Sequence, residues 1–227
     1  MRARLLAVLA GLLLPGCVTT GDTTTTAPLT TTAPGEASPG EAVRAWLEAV
    51  AGESGALPAV DDAQLVILIA VDGSLGPERA AALLDGGLSD DARRGFWDSF
   101  AAGFAGSAGA GPATVDTGPA EEFAVGDARF AAVPVSMAGG GTELITIEDG
   151  GVWRIDLIAS FGPRLVRPLR QLLDAAGSDA AGRAVREALA ASAPSLQAAV
   201  LRPPPDLPSE FLTETRALLN VLAPAAG

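Results

Sequence analysis

Arg154 and Asp156 stand two apart in the run Val152-Trp153-Arg154-Ile155-Asp156-Leu157. On a β-strand, residues i and i+2 project from the same side of the sheet. If that side faced an enclosed interior, Asp156 would serve as a general base with Arg154 as its electrostatic partner, or the pair would orient a polar ligand. If it faced water, the two would form a surface ion pair of small energetic consequence. A second constellation is aromatic. Phe96, Phe100 and Phe104 recur every four residues, with Trp97 three before Phe100. One side of a helix then carries a stripe that lines an apolar ligand pocket or, in the plainer reading, fills a core. The candidate pocket residues are therefore Trp97, Phe100, Arg154 and Asp156. The single cysteine, Cys17, closes the apolar run Leu12-Leu13-Leu14-Pro15-Gly16-Cys17.

What is missing limits the chemistry further. The 227 residues include no histidine, lysine or tyrosine, so every cationic side chain is an arginine. Without histidine there is no Ser-His-Asp triad, no Cys–His pair and no His-ligated zinc. Without lysine there is no Schiff base and no P-loop ammonium. Catalysis would fall to Asp, Glu, Arg, Ser or Thr. No cofactor and no metal is expected. The doublets Asp61-Asp62, Asp90-Asp91 and Glu121-Glu122 lack the alternating acids of a calcium loop, and the first two sit where helix caps belong. Gly109-Ala110-Gly111 reads as a connector between elements, with no helix behind it to cradle phosphate. The net charge of −12 gives no general attraction to nucleic acid.

These residues need elements to position them. Ser38-Pro39-Gly40-Glu41 is a helix start, and Val43, Trp46, Leu47 and Val50 share one helical face up to Gly52. Residues 63–71 are apolar all round, and Asp61-Asp62 favours helix over strand there. Helices are predicted over 77–85 and 90–104. The period then shortens to two, giving strands over 113–117, 121–125, 128–137, 142–148 and 152–159. Gly139-Gly140-Gly141 and Asp149-Gly150-Gly151 mark hairpins between antiparallel neighbours. Pro134 cannot donate to a ladder, which predicts a bulge or an edge. The helical period returns over 164–176, with Pro168 kinking the helix or marking its start, then from 178 or 179 to 193, 194–201 and 209–222. Pro203-Pro204-Pro205 is a stiff spacer.

The N-terminus precedes this domain. Met1-Arg2-Ala3-Arg4 is a cationic n-region, followed over residues 5–14 by an apolar stretch too short to cross a bilayer of about 30 Å. With Leu14 three before the cysteine and Gly16 directly before it, the run ending at Cys17 resembles a bacterial lipobox; Pro15 stands where that family prefers Ala or Ser. The resemblance implies diacylation of the Cys17 thiol, cleavage before it, and a lipid anchor on the extracytoplasmic face of the cell membrane. An ordinary secretory signal and a buried cysteine are the other readings. Loss of Arg2 and Arg4 with the signal would take the charge from −12 to −14. Residues 18–37 are rich in Thr, Pro and Ala and have little to bury, which predicts a disordered tether.

Helices first, then antiparallel hairpins, then a glycine turn followed by Trp153-Arg154-Ile155-Asp156: this order resembles the nuclear-transport-factor-2-like superfamily. It implies an α+β fold in which N-terminal helices pack on a curved antiparallel sheet in a cone-like arrangement, followed here by C-terminal helices. The organisation expected is a signal peptide (1–16), a tether (17–37), a cone-like domain (38–161) and a helical appendage (162–227). The superfamily's ketosteroid-isomerase-type site uses a tyrosine, and this chain has none. The expected function is a lipid-anchored cell-envelope protein, non-enzymatic, binding a partner protein or a small apolar ligand. The alternative is a carboxylate-based enzyme using Asp156 with Arg154.

Overall fold

The structure is a computed structural model that describes residues 35–223, apart from 53, 54, 109, 110, 138, 139 and 206. Of the signal and tether expected over 1–37, residues 1–34, Cys17 included, lie outside the described residues, as does the tip of the turn at Gly139; the last stretch of the expected tether is described, and Glu36 in it pairs with Trp153.

The N-terminal helices begin at the caps the sequence marks. In α1 (Pro39–Val50) the Ser38 hydroxyl accepts the Glu41 N–H and donates to the Glu41 carboxylate at 2.8 Å. Its buried face is Ala42, Val43, Trp46, Leu47 and Val50. The apolar run after it is helical: α2 (Asp62–Asp72) is capped by Asp61, whose carboxylate accepts the Gln64 N–H at 2.9 Å. Next come α3 (Pro77–Gly86) and α4 (Asp90–Ala108), the latter extending past the expected end at 104.

A five-stranded antiparallel sheet follows, curled into a half-barrel. Its strands are β1 (Asp116–Thr117), β2 (Glu121–Val125), β3 (Ala128–Met137), β4 (Gly140–Asp149) and β5 (Val152–Ile155). A 3-10 turn over Pro112–Thr114 takes up the first two residues of the first expected strand, 113–117, and only Asp116 and Thr117 pair as a strand. β4 and β5 lie on one side of β3, while β1 and β2 share its other edge. That shared edge explains Pro134. β1 pairs with Val135 and Ser136, and β2 pairs with residues 128–132. The Pro134 carbonyl points to this side, accepting the Gly118 N–H at 2.8 Å. Its missing donor therefore falls in the break between the two short strands, where no partner needs it. The outer edge of β5 is covered by chain from the N-terminal side. Glu36 exchanges two hydrogen bonds with Trp153, at 3.0 and 2.8 Å, and Val60 bridges to Ile155.

Both faces of the sheet are packed, following the strand period of two. Ala131, Val133, Val135, Leu144, Trp153 and Ile155 lie on the face that meets α1 and its neighbours. Phe130, Ala132 and Ile145 lie on the opposite face, against Ala159 and Ala198.

The strand expected over 152–159 stops at Ile155, and α5 (Leu157–Phe161) begins with Asp156 as its cap. Leu157, Ile158 and Ala159 are wholly buried, and Ser160 is 2% exposed, so this short helix lies inside the molecule. Where β5 ends, β4 still needs partners. Ser160 supplies them: its hydroxyl accepts the Ile145 N–H at 2.9 Å and donates to the Ile145 carbonyl at 3.2 Å, while the Asp156 N–H donates to the same carbonyl.

A second 3-10 turn (Gly162–Leu165) leads to α6 (Val166–Ala175), α7 (Ala180–Ala191), α8 (Ala193–Leu201) and α9 (Ser209–Leu222). Pro168 lies in the first turn of α6, where its missing N–H is one that no helix would use. Asp179 caps α7 through the Gly182 N–H. α7 packs on α3, and α8 packs on α5 and α9. One hydrophobic core runs from Val43 and Leu65 through Ile158 to Leu196 and Leu222, so the boundary expected between 161 and 162 falls inside it.

Candidate functional site

Asp156 is the most constrained carboxylate in the described structure. It is fully buried. Its Oδ1 accepts the Ala159 N–H at 2.8 Å, and its Oδ2 accepts the Ser195 hydroxyl at 2.6 Å. Gln64, from α2, completes the arrangement. Its side-chain carbonyl accepts the Leu157 and Ile158 N–H groups at 2.8 and 3.2 Å, and its amide donates to Ser195 Oγ at 3.4 Å. Three elements far apart in sequence thus close the N-terminal end of α5, and the donors that a helix start leaves unpaired are met by side chains. Burial pushes the Asp156 carboxyl above its ordinary range; hydrogen bonds from Ser195, Ala159 and Gln64 oppose the shift, and the negative charge of Asp61 adds to it.

Arg154 takes no part in this cluster. Its guanidinium pairs with Asp149, and its side chain is 11% exposed against 59% for its partner. The same-side pair expected from strand spacing is therefore not formed: Asp156 has left the strand to cap a helix, and the two residues hold different partners. Arg154 Nε has no hydrogen-bond partner, nor do Trp46 Nε1 and Asp72 Oδ1. Burial raises the Asp72 carboxyl as well.

The aromatic stripe of α4 is turned inward. Trp97 is 3% exposed and Phe100 8%. Trp97 meets Trp46 edge-on with ring centres 5.9 Å apart, and Phe100 meets Phe161 at 5.6 Å. Such contacts add to the burial of the rings themselves. The stripe joins α1, α4 and α5 into one cluster and belongs to the main core.

Two of the surface hollows among the described residues bear on these candidates. One, of about 220 Å³, lies between α1, the segment 56–59 and the edge of β5; Trp46, Ala49, Leu57, Trp153 and Arg154 are among its walls, with Gly35 and Glu36 at its rim. The other, of about 390 Å³, is a groove lined by Leu173, Arg186 and Val221 on α6, α7 and α9. Asp156, Trp97 and Phe100 line neither. Of the four candidate pocket residues, Arg154 alone borders a described hollow. Among the described residues no cluster of three or more acidic, histidine or cysteine side chains is arranged to hold a metal ion, and no helix is long and apolar enough to cross a membrane.

Gln64 and Ser195 escape sequence reasoning. Gln64 is the one polar residue inside the apolar run of α2, and Ser195 the one hydroxyl within α8. Each is visible as an exception, but their meeting at Asp156, 39 positions before Ser195, is set by tertiary packing. No family model, curated protein or solved structure matches the chain.

Proposed function

We propose that the chain is a lipid-anchored protein of the cell envelope, acylated at Cys17 and held on the extracytoplasmic face of the membrane, whose domain works by binding rather than catalysis. The observation that carries this is the placement of the only cysteine: a cationic start, an apolar run of about ten residues, then Leu14-Pro15-Gly16-Cys17. The Thr/Pro-rich segment after it supports the same reading, since it would hold the domain away from the bilayer. Two acyl chains are required for stable anchoring, because one gives only marginal membrane affinity. In the same reading, the α+β fold is a cone-like relative of the nuclear-transport-factor-2-like domains.

Binding is favoured over catalysis by residue supply and by placement. The chain has no histidine, lysine or tyrosine, and Asp156, on which a carboxylate mechanism would depend, is sealed beneath α8 away from both hollows. A small apolar ligand would have the hollow beside Trp46 and Trp153 as its place, a cavity of about 220 Å³ that also carries Glu36, Glu48 and Arg154. A protein partner is the other occupant consistent with this reading. Radiolabelled fatty acid supplied to expressing cells is expected to enter the wild-type protein and not Cys17→Ala. Equal labelling of both, or of neither, would overturn the anchor.

A further inference from the structure

We propose that Asp156, Ser195 and Gln64 form a protonation-controlled latch that sets how readily α8 lifts from α5 and the sheet. This goes beyond the binding role above and does not depend on where the protein resides.

The geometry carries the inference. A fully buried carboxylate is normally matched by a cation, because the ionised form is costly away from water. Asp156 is held instead by neutral donors, the Ala159 N–H and the Ser195 hydroxyl, which in turn accepts the Gln64 amide, and no arginine is among the groups acting on its charge. The charges on the surrounding elements do not supply one. α5 and α8 carry no ionisable side chain. α2 brings Asp61, whose negative charge opposes ionisation, together with Asp62, paired to Arg93, and Asp72 at its far end. β4 brings Glu143, Glu148 and Asp149, of which Glu148 pairs with Arg129 and Asp149 with Arg154 of β5. The 3-10 turn after α5 carries Arg164. Ser195 is the residue through which α8 hydrogen-bonds the start of α5; Leu196, Ala198 and Ala199 add only apolar burial. Protonation removes the uncompensated charge and leaves the contact with Ser195 in place, either oxygen then being able to donate. Ionisation sends the proton to water and strands the charge against α8. The latch is therefore tight in acid and loosens as the pH rises through the titration of Asp156.

Hydrogen exchange on the full chain across pH 4–8, corrected for intrinsic exchange rates, tests this. The opening constant of α8 amides is expected to rise with pH by up to about tenfold per pH unit, the limit for one proton. Asp156→Asn, which keeps the acceptor and adds a neutral donor, is expected to flatten that rise; Asp72→Asn is expected to leave it unchanged. An equal slope in Asp156→Asn, or a rise spread evenly over α1 and α8, would overturn the latch. Should Asp156→Asn fail to fold, carbon NMR of the wild-type carboxyl groups decides. An Asp156 titration whose midpoint coincides with α8 opening supports the latch; a midpoint elsewhere, or no titration, rejects it.

Discussion

Ser195 and Asp156 show how much one buried hydrogen bond can govern. The fold raises the Asp156 carboxyl above its ordinary value of 3.8. Protonation then favours the folded state. That contribution is complete below the unfolded value and is lost as pH rises through the folded one. Asp156→Asn should therefore melt at or above the wild-type temperature at neutral pH, with the gap closing in acid and opening as the pH rises through the titration of Asp156; thermal melts as a function of pH check it. Ser195→Ala acts in the other direction, leaving a buried carboxylate oxygen with one donor fewer, and is expected to lower stability by about 1–3 kcal/mol. Denaturant titration at pH 7 measures this. Neither outcome follows from the sequence Arg154-Ile155-Asp156, whose spacing suggests a pair on a strand. The strand ends at Ile155, four residues short of the expected end, because Asp156 caps a helix, a role its side chain performs well. The signal was present in the five residues after it, which hold no turn and no polar spacer, but the same run suits a buried strand equally.

Elements with strong local chemistry were the legible ones. α1 and α7 begin at Ser38 and Asp179, and β2 and β3 span the residues their alternation marks. The contested run at 62–72 was decided by its cap. What sequence could not convey is close approach between elements. Gly182 lies in the first turn of α7 against the backbone of Gly177, and a methyl group there would overlap that backbone. Gly182→Ala is expected to destabilise the protein by about 1–3 kcal/mol, with the loss of protection concentrated at the start of α7 in hydrogen exchange. Gly35 is similarly hemmed in, a Cβ there meeting Val152 at 2.6 Å. Gly35→Val should weaken the Glu36–Trp153 bridge while leaving the helical circular-dichroism signal near wild type. The aromatic stripe on α4 was legible as a stripe. Whether it lined a pocket or a core depended on Trp46 and Phe161, which reach it from other helices.

At the scale of the molecule, the C-terminal helices share the core of the sheet and its N-terminal helices. Sequence reading separated them because a resemblance covered only the first part and hydrophobic faces do not name their partners. The first four residues of α5 are buried between the two parts, and α8 covers the sheet face opposite α1. A chain ending at Phe161 would expose Ile158, Phe130 and Ile145, and is expected to lack a cooperative thermal transition; calorimetry on such a fragment would show a sharp endotherm if this were wrong. One further consequence lies at the other end of the chain. The first described backbone bridge is made by Glu36, through two hydrogen bonds to the outermost strand. Any tension transmitted along the preceding segment reaches the domain at that bridge before it reaches the cap of α1. The bridge also forms the rim of the hollow beside Trp46 and Trp153. A pull on that segment would therefore act first at the mouth of that hollow, through the two hydrogen bonds of Glu36.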